Sequence, residues 1–415
     1  MAATTCAEAR SVLRQASEGR SLPASDTLRE LTDRQAIAGT PERPSITPVG
    51  HHVLRELDLR AYRSDSWPLD TLSGELSKIL GEIETIARSA EYFLSDLGPI
   101  TPSEAVPYLR IVSVGLANRR GTPEELAERF RNVWGMVEVM GGDARDRLMG
   151  AEVLMATDAA MDSVYAPMMV TVDQLRSFGA KRAVTAASIL QLEPAERSPD
   201  RLQRWKGARS EVPTDEAAAL LATLRGRPDR GAAFEQFRAL FEPVPNIAGK
   251  VSASLYLASL GQDPSKGVDR ILETARLLGP TSRRPLLAAA LLTSAHPLSP
   301  AELVDWVGKA ADAAKRRELA ADPNEFNALG VALVEGLPAD SFQGAIPLDA
   351  ESSPLAAAAT LLALHAWIYR PLLDPAFDTD AKPVPRAASA CPSPRIRLAS
   401  CCPSTEWRGR LPQTT

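Results

Sequence analysis

The chain has 415 residues, 45% of them hydrophobic and 24% charged, which suits two or three domains or one long repeat array with a sizeable core. Its net charge is −5 and the signs interleave along the predicted helices, so the basic stripe of a nucleic-acid binder is missing and none is expected as a partner. The four cysteines, Cys6, Cys391, Cys401 and Cys402, avoid the body of the chain, which excludes a disulfide-stapled secreted scaffold.

Met1–Arg20 lacks the apolar centre of a secretory signal, so the expected compartment is cytoplasmic. Pro23, Pro41, Pro44 and Pro48 punctuate residues 1–50. That stretch reads as a largely disordered N-terminal segment, with short helices near Thr5–Glu18 and Ser25–Ile37 at most. Residues 51–100 read as an N-terminal helical cap. Within it Leu76, Ile79, Leu80, Ile83, Ile86, Ala87, Ala90, Phe93 and Leu94 recur at steps of three and four. This is one face of a long amphipathic helix over Thr71–Asp96, stopped by Gly98-Pro99.

From there the chain reads as all-α. Thr101-Pro-Ser-Glu104, Thr122-Pro-Glu-Glu125, Ser299-Pro-Ala-Glu302 and Asp322-Pro-Asn-Glu325 repeat one helix start. A short oxygen-bearing side chain caps the exposed N–H groups, proline takes the first helical position, and glutamate closes a capping box. Ser198-Pro199, Asp263-Pro264 and Ser353-Pro354 supply the first half of that pattern. No sustained alternation and no Asn-Gly or Asp-Gly turn announces a strand pair.

Self-similarity is the most informative feature. Ser198-Pro-Asp-Arg-Leu-Gln-Arg-Trp205-Lys-Gly207 matches Ser299-Pro-Ala-Glu-Leu-Val-Asp-Trp306-Val-Gly308 at Ser, Pro, Leu, Trp and Gly. Leu126–Trp134 resembles Ala233–Phe241, Ala151–Thr157 resembles Ala253–Ser259, and Leu175–Pro194 resembles Ala275–Pro297. Leu109–Ala117, Ala218–Pro228 and Ala328–Pro338 read as one helix in three successive copies. The expected fold is therefore a helical-repeat array, an α-α superhelix or ring, built from a duplicated unit of roughly 100–110 residues. Copy one spans 101–212, copy two 213–320, and a partial third copy 321–376 ends in an apolar helix. Trp205 and Trp306 are expected to wedge between successive helices.

Leu355–Tyr369 carries no charge over fifteen residues, short of the roughly 20 that span a membrane. Buried helix is the leading reading, with membrane anchoring through 355–371 as the alternative. Residues 377–415 are rich in Pro, Arg and Cys and are expected to be disordered.

Catalytic templates fail one by one. His51-His52 with Glu56 and Asp58 have no metal-site spacing. Asp158 and Asp162 share a helix face, with Glu152 further round, but lack an aspartate-rich cluster. Gly141-Gly142-Asp143 lacks the lysine of a phosphate loop and reads as a turn with an N-cap. There is no nucleophile elbow and no body cysteine to pair with a histidine. No catalytic, cofactor-binding or metal residue is assigned and no cofactor is expected. The leading expectation is a non-enzymatic scaffold binding another protein along a concave face. The alternative is an all-helical enzyme with inward acids around a central cavity.

Overall fold

The computed structural model describes residues 3–61, 65–119, 121–155, 161–193, 200–212, 214–245, 247, 249–279, 284–319, 323–337 and 358–359. Seventeen α-helices and one two-stranded hairpin are found among them. The described residues are all-α apart from that hairpin, as composition and periodicity predict.

Residues 1–50 depart from expectation. In place of a largely disordered segment, the described part folds into α1 (Cys6–Ser17), α2 (Asp26–Asp33), β1 (Ile37–Thr40) and β2 (Arg43–Ile46), followed by α3 (Pro48–Leu59). A capping box starts α1: Thr5 Oγ1 accepts from the Glu8 N–H and the Glu8 carboxylate accepts from the Thr5 N–H. Cys6, Ala9, Leu13 and Ala16 then line one face. They pack with Leu28, Leu31, Ile37 and Leu57 into a core of their own. The strands are antiparallel, with Ile37 opposite Ile46. The short helices read near Thr5–Glu18 and Ser25–Ile37 form as α1 and α2, whereas the hairpin, whose turn Thr40-Pro41-Glu42-Arg43 lacks the glycine signature, does not stand out in the sequence. The prolines bound these elements without disordering them.

The rest of the described chain is a succession of helical hairpins. The long amphipathic helix appears as α4 (Leu69–Leu97), ended by the 3₁₀ turn Gly98–Ile100. It pairs with α5 (Val106–Ala117). Next come α6 (Pro123–Glu138) with α7 (Ala144–Leu154), α8 (Met161–Ser177) with α9 (Ala183–Leu190), and α10 (Arg201–Ala208) with α11 (Asp215–Arg225). Then α12 (Pro228–Phe241) pairs with α13 (Lys250–Leu260), α14 (Val268–Leu278) with α15 (Pro285–Ala295), and α16 (Pro300–Arg316) with α17 (Pro323–Glu335). The second helix of each pair touches the second helix of the next, from α5 through α7, α9, α11, α13 and α15 to α17. Helix α17 in turn touches α5 and α4, and α16 touches α4.

Composition separates the two sets. All eight residues of α9 are buried, as are Pro285–Ser294 of α15 and Asp215–Leu224 of α11. These segments are Ala- and Leu-rich on every face, as helices enclosed by neighbours must be. The first helices of the pairs bury one stripe only: Ile271, Ala275 and Leu278 on α14, and Leu303, Trp306, Val307, Ala310 and Ala314 on α16. Each fully buried Leu of α15 contributes about 1.5–3 kcal/mol relative to exposure.

Two of the expected capping boxes form, at Thr122–Glu125 and Ser299–Glu302. The Thr101 start does not: α5 begins at Val106, where Pro107 occupies its first turn. Asp263 is used in a turn, accepting from the Ser265 N–H and hydroxyl, and α14 begins only after Gly267. The Ser198 and Ser353 starts lie outside the described residues. So do residues 377–415 and all of Leu355–Tyr369 except Ala358 and Ala359, which are buried. No helix of the described residues is long and apolar enough to cross a membrane.

Candidate functional site

The buried helices run side by side in one direction, because like ends meet. At their N-terminal ends, Arg145 of α7 lies over the ring of Tyr108 in α5, and Asp146 of α7 bonds the first turn of α9. Asp215 of α11 accepts from the Lys181 and Arg182 N–H groups that lead into α9. At their C-terminal ends, Asn118 after α5 donates to the Ala332 carbonyl of α17, and Arg119 donates to the Glu152 carbonyl of α7. Parallel helices gather exposed N–H groups and partial positive charge at one end, exposed carbonyls and partial negative charge at the other.

The N-terminal end is built from a glycine turn upward. Gly141 and Gly142 sit at φ 69° and 98°, left-handed conformations that side chains resist, and they swing the chain from α6 into α7. Asp143 then caps α7, its Oδ1 accepting from the Asp146 N–H at 2.7 Å. The Gly-Gly-Asp sequence is thus a turn and an N-cap, as its spacing predicts. Asp146, 1% exposed, accepts from the Val184 N–H at 3.0 Å, the Thr185 N–H at 2.9 Å and the Thr185 hydroxyl at 2.7 Å. It caps α9 from a neighbouring helix, since Arg182 at the N-cap position makes no side-chain cap. Burial pushes the Asp146 carboxyl up, and the bonds from Thr185 and Val184 pull it back. Asp215 caps from the other side and pairs with Arg209 Nε at 3.1 Å.

Three charged side chains complete this end. Arg182 Nη1 reaches Asp143 Oδ1 at 3.4 Å, and its Nε lies 3.7 Å from Glu216 Oε1. Glu216, in the first turn of α11, is 5% exposed, and its Oε2 is buried with no hydrogen-bond partner. Burial raises its pKa against the pull of Arg182 and Arg145. Arg145, 8% exposed, has Nε and Nη1 buried without a partner. Burial, and then the neighbouring Arg182, push its guanidinium down to about 10, so it stays charged at neutral pH.

Other charged clusters tie helices together. Arg60 pairs with Glu56, Glu302 and Asp305, and Lys309 bridges Glu56 and Asp305 at 2.8 Å each, tying α3 to α16. The same Arg60 and Lys309 lie over the Trp306 ring at 4.9 and 4.5 Å. An open groove of about 630 Å³ runs beside this network, past His52, Asp312 and Lys315. Trp205 and Trp306 are both fully buried, and neither offers an exposed face to a ligand. Trp205 Nε1 donates to the Asp215 carbonyl at 3.1 Å.

The residues considered in the sequence scatter. His51 and His52 are exposed, Glu56 belongs to the α3–α16 ion pairs, and Asp58 pairs with Arg14. Glu152 pairs with Arg119 at 3.1 Å. Asp158 and the Asp162 side chain lie outside the described residues. No group of three or more His, Cys, Asp or Glu among the described residues is placed to hold a metal. Arg145, Arg182 and Glu216 were missed. The turn Gly141-Gly142-Asp143 does put Arg145 in a first helical turn, but nothing local shows that the side chain is buried. Comparison of the chain with protein-family models, curated proteins and solved structures gave no match.

Proposed function

We propose that the protein is a closed ring of helical hairpins, derived from an internal duplication, that binds a small anionic ligand at the N-terminal ends of its inner helices. The observation that carries this is Arg145. It is a cation at neutral pH, buried, with two guanidinium nitrogens that lack a hydrogen-bond partner, in the first turn of a helix where a positive charge is disfavoured. An anion there gains from the Arg145 guanidinium, a charge-assisted donor.

The sequence matches support the duplication. The three copies Leu109–Ala117, Ala218–Pro228 and Ala328–Pro338 fall on or beside α5, α11 and α17, all of the buried set. The two Trp segments fall on α10 and α16, both of the one-striped set. The contact of α17 with α5 supports closure. Closure removes the open concave face on which a protein-binding scaffold reading depends, so the ligand-binding reading is preferred.

The test is a thermal-shift titration of the full chain with inorganic phosphate and sulfate at constant ionic strength. A saturable rise in Tm that Arg145→Met abolishes supports the reading. No saturable rise, or an equal rise in Arg145→Met, sinks it.

A further inference from the structure

The first and last described hairpins meet side by side, since α16 touches α4 and α17 touches α4 and α5. That seam is lightly held. Arg317 reaches Glu84 at 3.2 Å and Glu91 at 2.8 Å, and Arg316 pairs with Glu84, all with side chains partly open to solvent. Exposed pairs of this kind contribute little and are screened by salt. Between the second helices, Asn118 Nδ2 donates to the Ala332 carbonyl at 3.2 Å. By contrast, α9 packs far more extensively on α7 and α11 than α17 does on α5.

The N-terminal layer lies across this seam and grips its two sides by different means. On the α4 side the grip is apolar: Leu69 and Leu72, at the start of α4, share a core with Cys6, Leu13, Leu31 and Leu57. Backbone bonds add to it, from the Cys6 N–H to the Trp67 carbonyl at 2.8 Å and from the Leu69 N–H to the Thr4 carbonyl at 2.9 Å. On the α16 side the grip is ionic. Lys309 Nζ stands 2.8 Å from both Glu56 Oε1 and Asp305 Oδ2, Arg60 lies among Glu56, Glu302 and Asp305, and Arg55 reaches Asp305 at 3.3 Å. The two grips differ in reversibility. Apolar surface gains nothing by returning to water. Separating ions recover the hydration that burial removed, so a buried ion pair adds little net stability. The open groove lined by His52, Arg55, Asp305 and Lys309 exposes one edge of the network to solvent.

We propose that the N-terminal layer is a clasp on the seam: it stays on α4 and lets go of α16, and its release lets the last hairpin part from the first while the hairpins between them remain stacked. Helices as short as α3, with 12 residues, and α17, with 13, are marginal once they lose their neighbours, so release is read as amide exchange.

The experiment is hydrogen–deuterium exchange, read by peptide mass spectrometry, on the full native chain and on two variants. Lys309→Met removes the cation that bridges Glu56 and Asp305. Arg55→Glu sets a carboxylate beside Asp305 from a side chain that is 70% exposed, so it leaves the packing intact. Helices α3, α16 and α17 should exchange about tenfold faster in Lys309→Met and about threefold faster in Arg55→Glu, with α1, α2 and α7 to α11 unchanged. Acceleration of α3 alone overturns the clasp, because the seam then holds without it. Acceleration that extends to α1 and α2, or to every helix alike, overturns it as well, as does no acceleration in either variant. Should Lys309→Met fail to fold, Arg55→Glu decides by the same outcomes.

Discussion

The two ends of the buried helices follow one electrostatic trend, with departures at both. At the N-terminal end carboxylates cap the N–H groups, with Asp143 on α7, and Asp146 and Asp215 around α9. At the C-terminal end cations and amides take the carbonyls: Arg119 at Glu152, Arg204 at Ala222, Arg270 at His296 and Leu298, Asn118 at Ala332. Both patterns follow the helix dipole. Two departures are instructive: Arg145, a cation in the first turn of α7, and Glu335, a carboxyl in the last turn of α17. They resolve their predicament differently. Burial pushes Glu335 up to about 7, so it sheds its charge by taking a proton near neutral pH. Arg145, at about 10, has no such route, and in the proposed function an anion compensates it. An unfavourable charge that can neutralise itself is a feature of the fold alone; one that cannot points outside the protein.

The largest expected effect breaks the rule where it is best satisfied. Asp146→Ala leaves two buried N–H groups of α9 unpaired and should cost about 3–5 kcal/mol in urea denaturation, against about 1 kcal/mol for the exposed cap Asp143→Ala. Equal losses at the two positions would mean that burial does not amplify the cap. Removing the first exception should have the opposite sign: Arg145→Met is expected to gain about 1–3 kcal/mol in anion-free buffer, because an isolated buried charge is replaced by an apolar side chain of similar length. A loss of stability there would show that the guanidinium is already compensated.

The second exception is read by pH. Between its ordinary 4.5 and about 7, the folded protein keeps the Glu335 proton that the unfolded chain releases. Stability therefore falls as pH rises through that window and is fully present only below it. Glu335→Gln should remove this slope, standing about 2 kcal/mol above the native protein at pH 8 relative to pH 4, discounted for partial exposure. Parallel pH profiles for the two proteins would refute the assignment. The smallest effect compares the paired tryptophans. Trp205→Phe loses the bond to the Asp215 carbonyl, whereas Trp306 Nε1 has no hydrogen-bond partner, so Trp205→Phe should cost about 1 kcal/mol more in a thermal melt. A larger cost at Trp306 would mean that the cations above its ring dominate.

Much of this was legible in the chain. The three-four spacing from Leu76 to Leu94 gave α4, Thr122 and Ser299 gave the starts of α6 and α16, and Gly141-Gly142-Asp143 gave the turn into α7. In the N-terminal layer the positions of α1 and α2 were legible but not the hairpin or the shared core, because α1 buries only Cys6, Ala9, Leu13 and Ala16, a stripe too small to announce a packed layer between prolines. The Thr101 and Asp263 starts failed because a second proline and a local turn competed for the same groups. Arg145, Arg182 and Glu216 come from three different parts of the chain, each an ordinary charge in a first helical turn or at a cap.

The sequence by itself determined the class of structure and the kinds of helices. Periodicity and capping are local, set by side chains within a turn or two of each other, and an Ala-Leu segment such as Pro285–Ala295 declares that it must be enclosed. Only the tertiary structure decided which helix ends meet. Capping of α9 by Asp146 and the return of α17 to α5 are contacts between residues far apart in the chain. They depend on how the hairpins stack, and burial converts charges that are commonplace at a surface into groups that must find a partner.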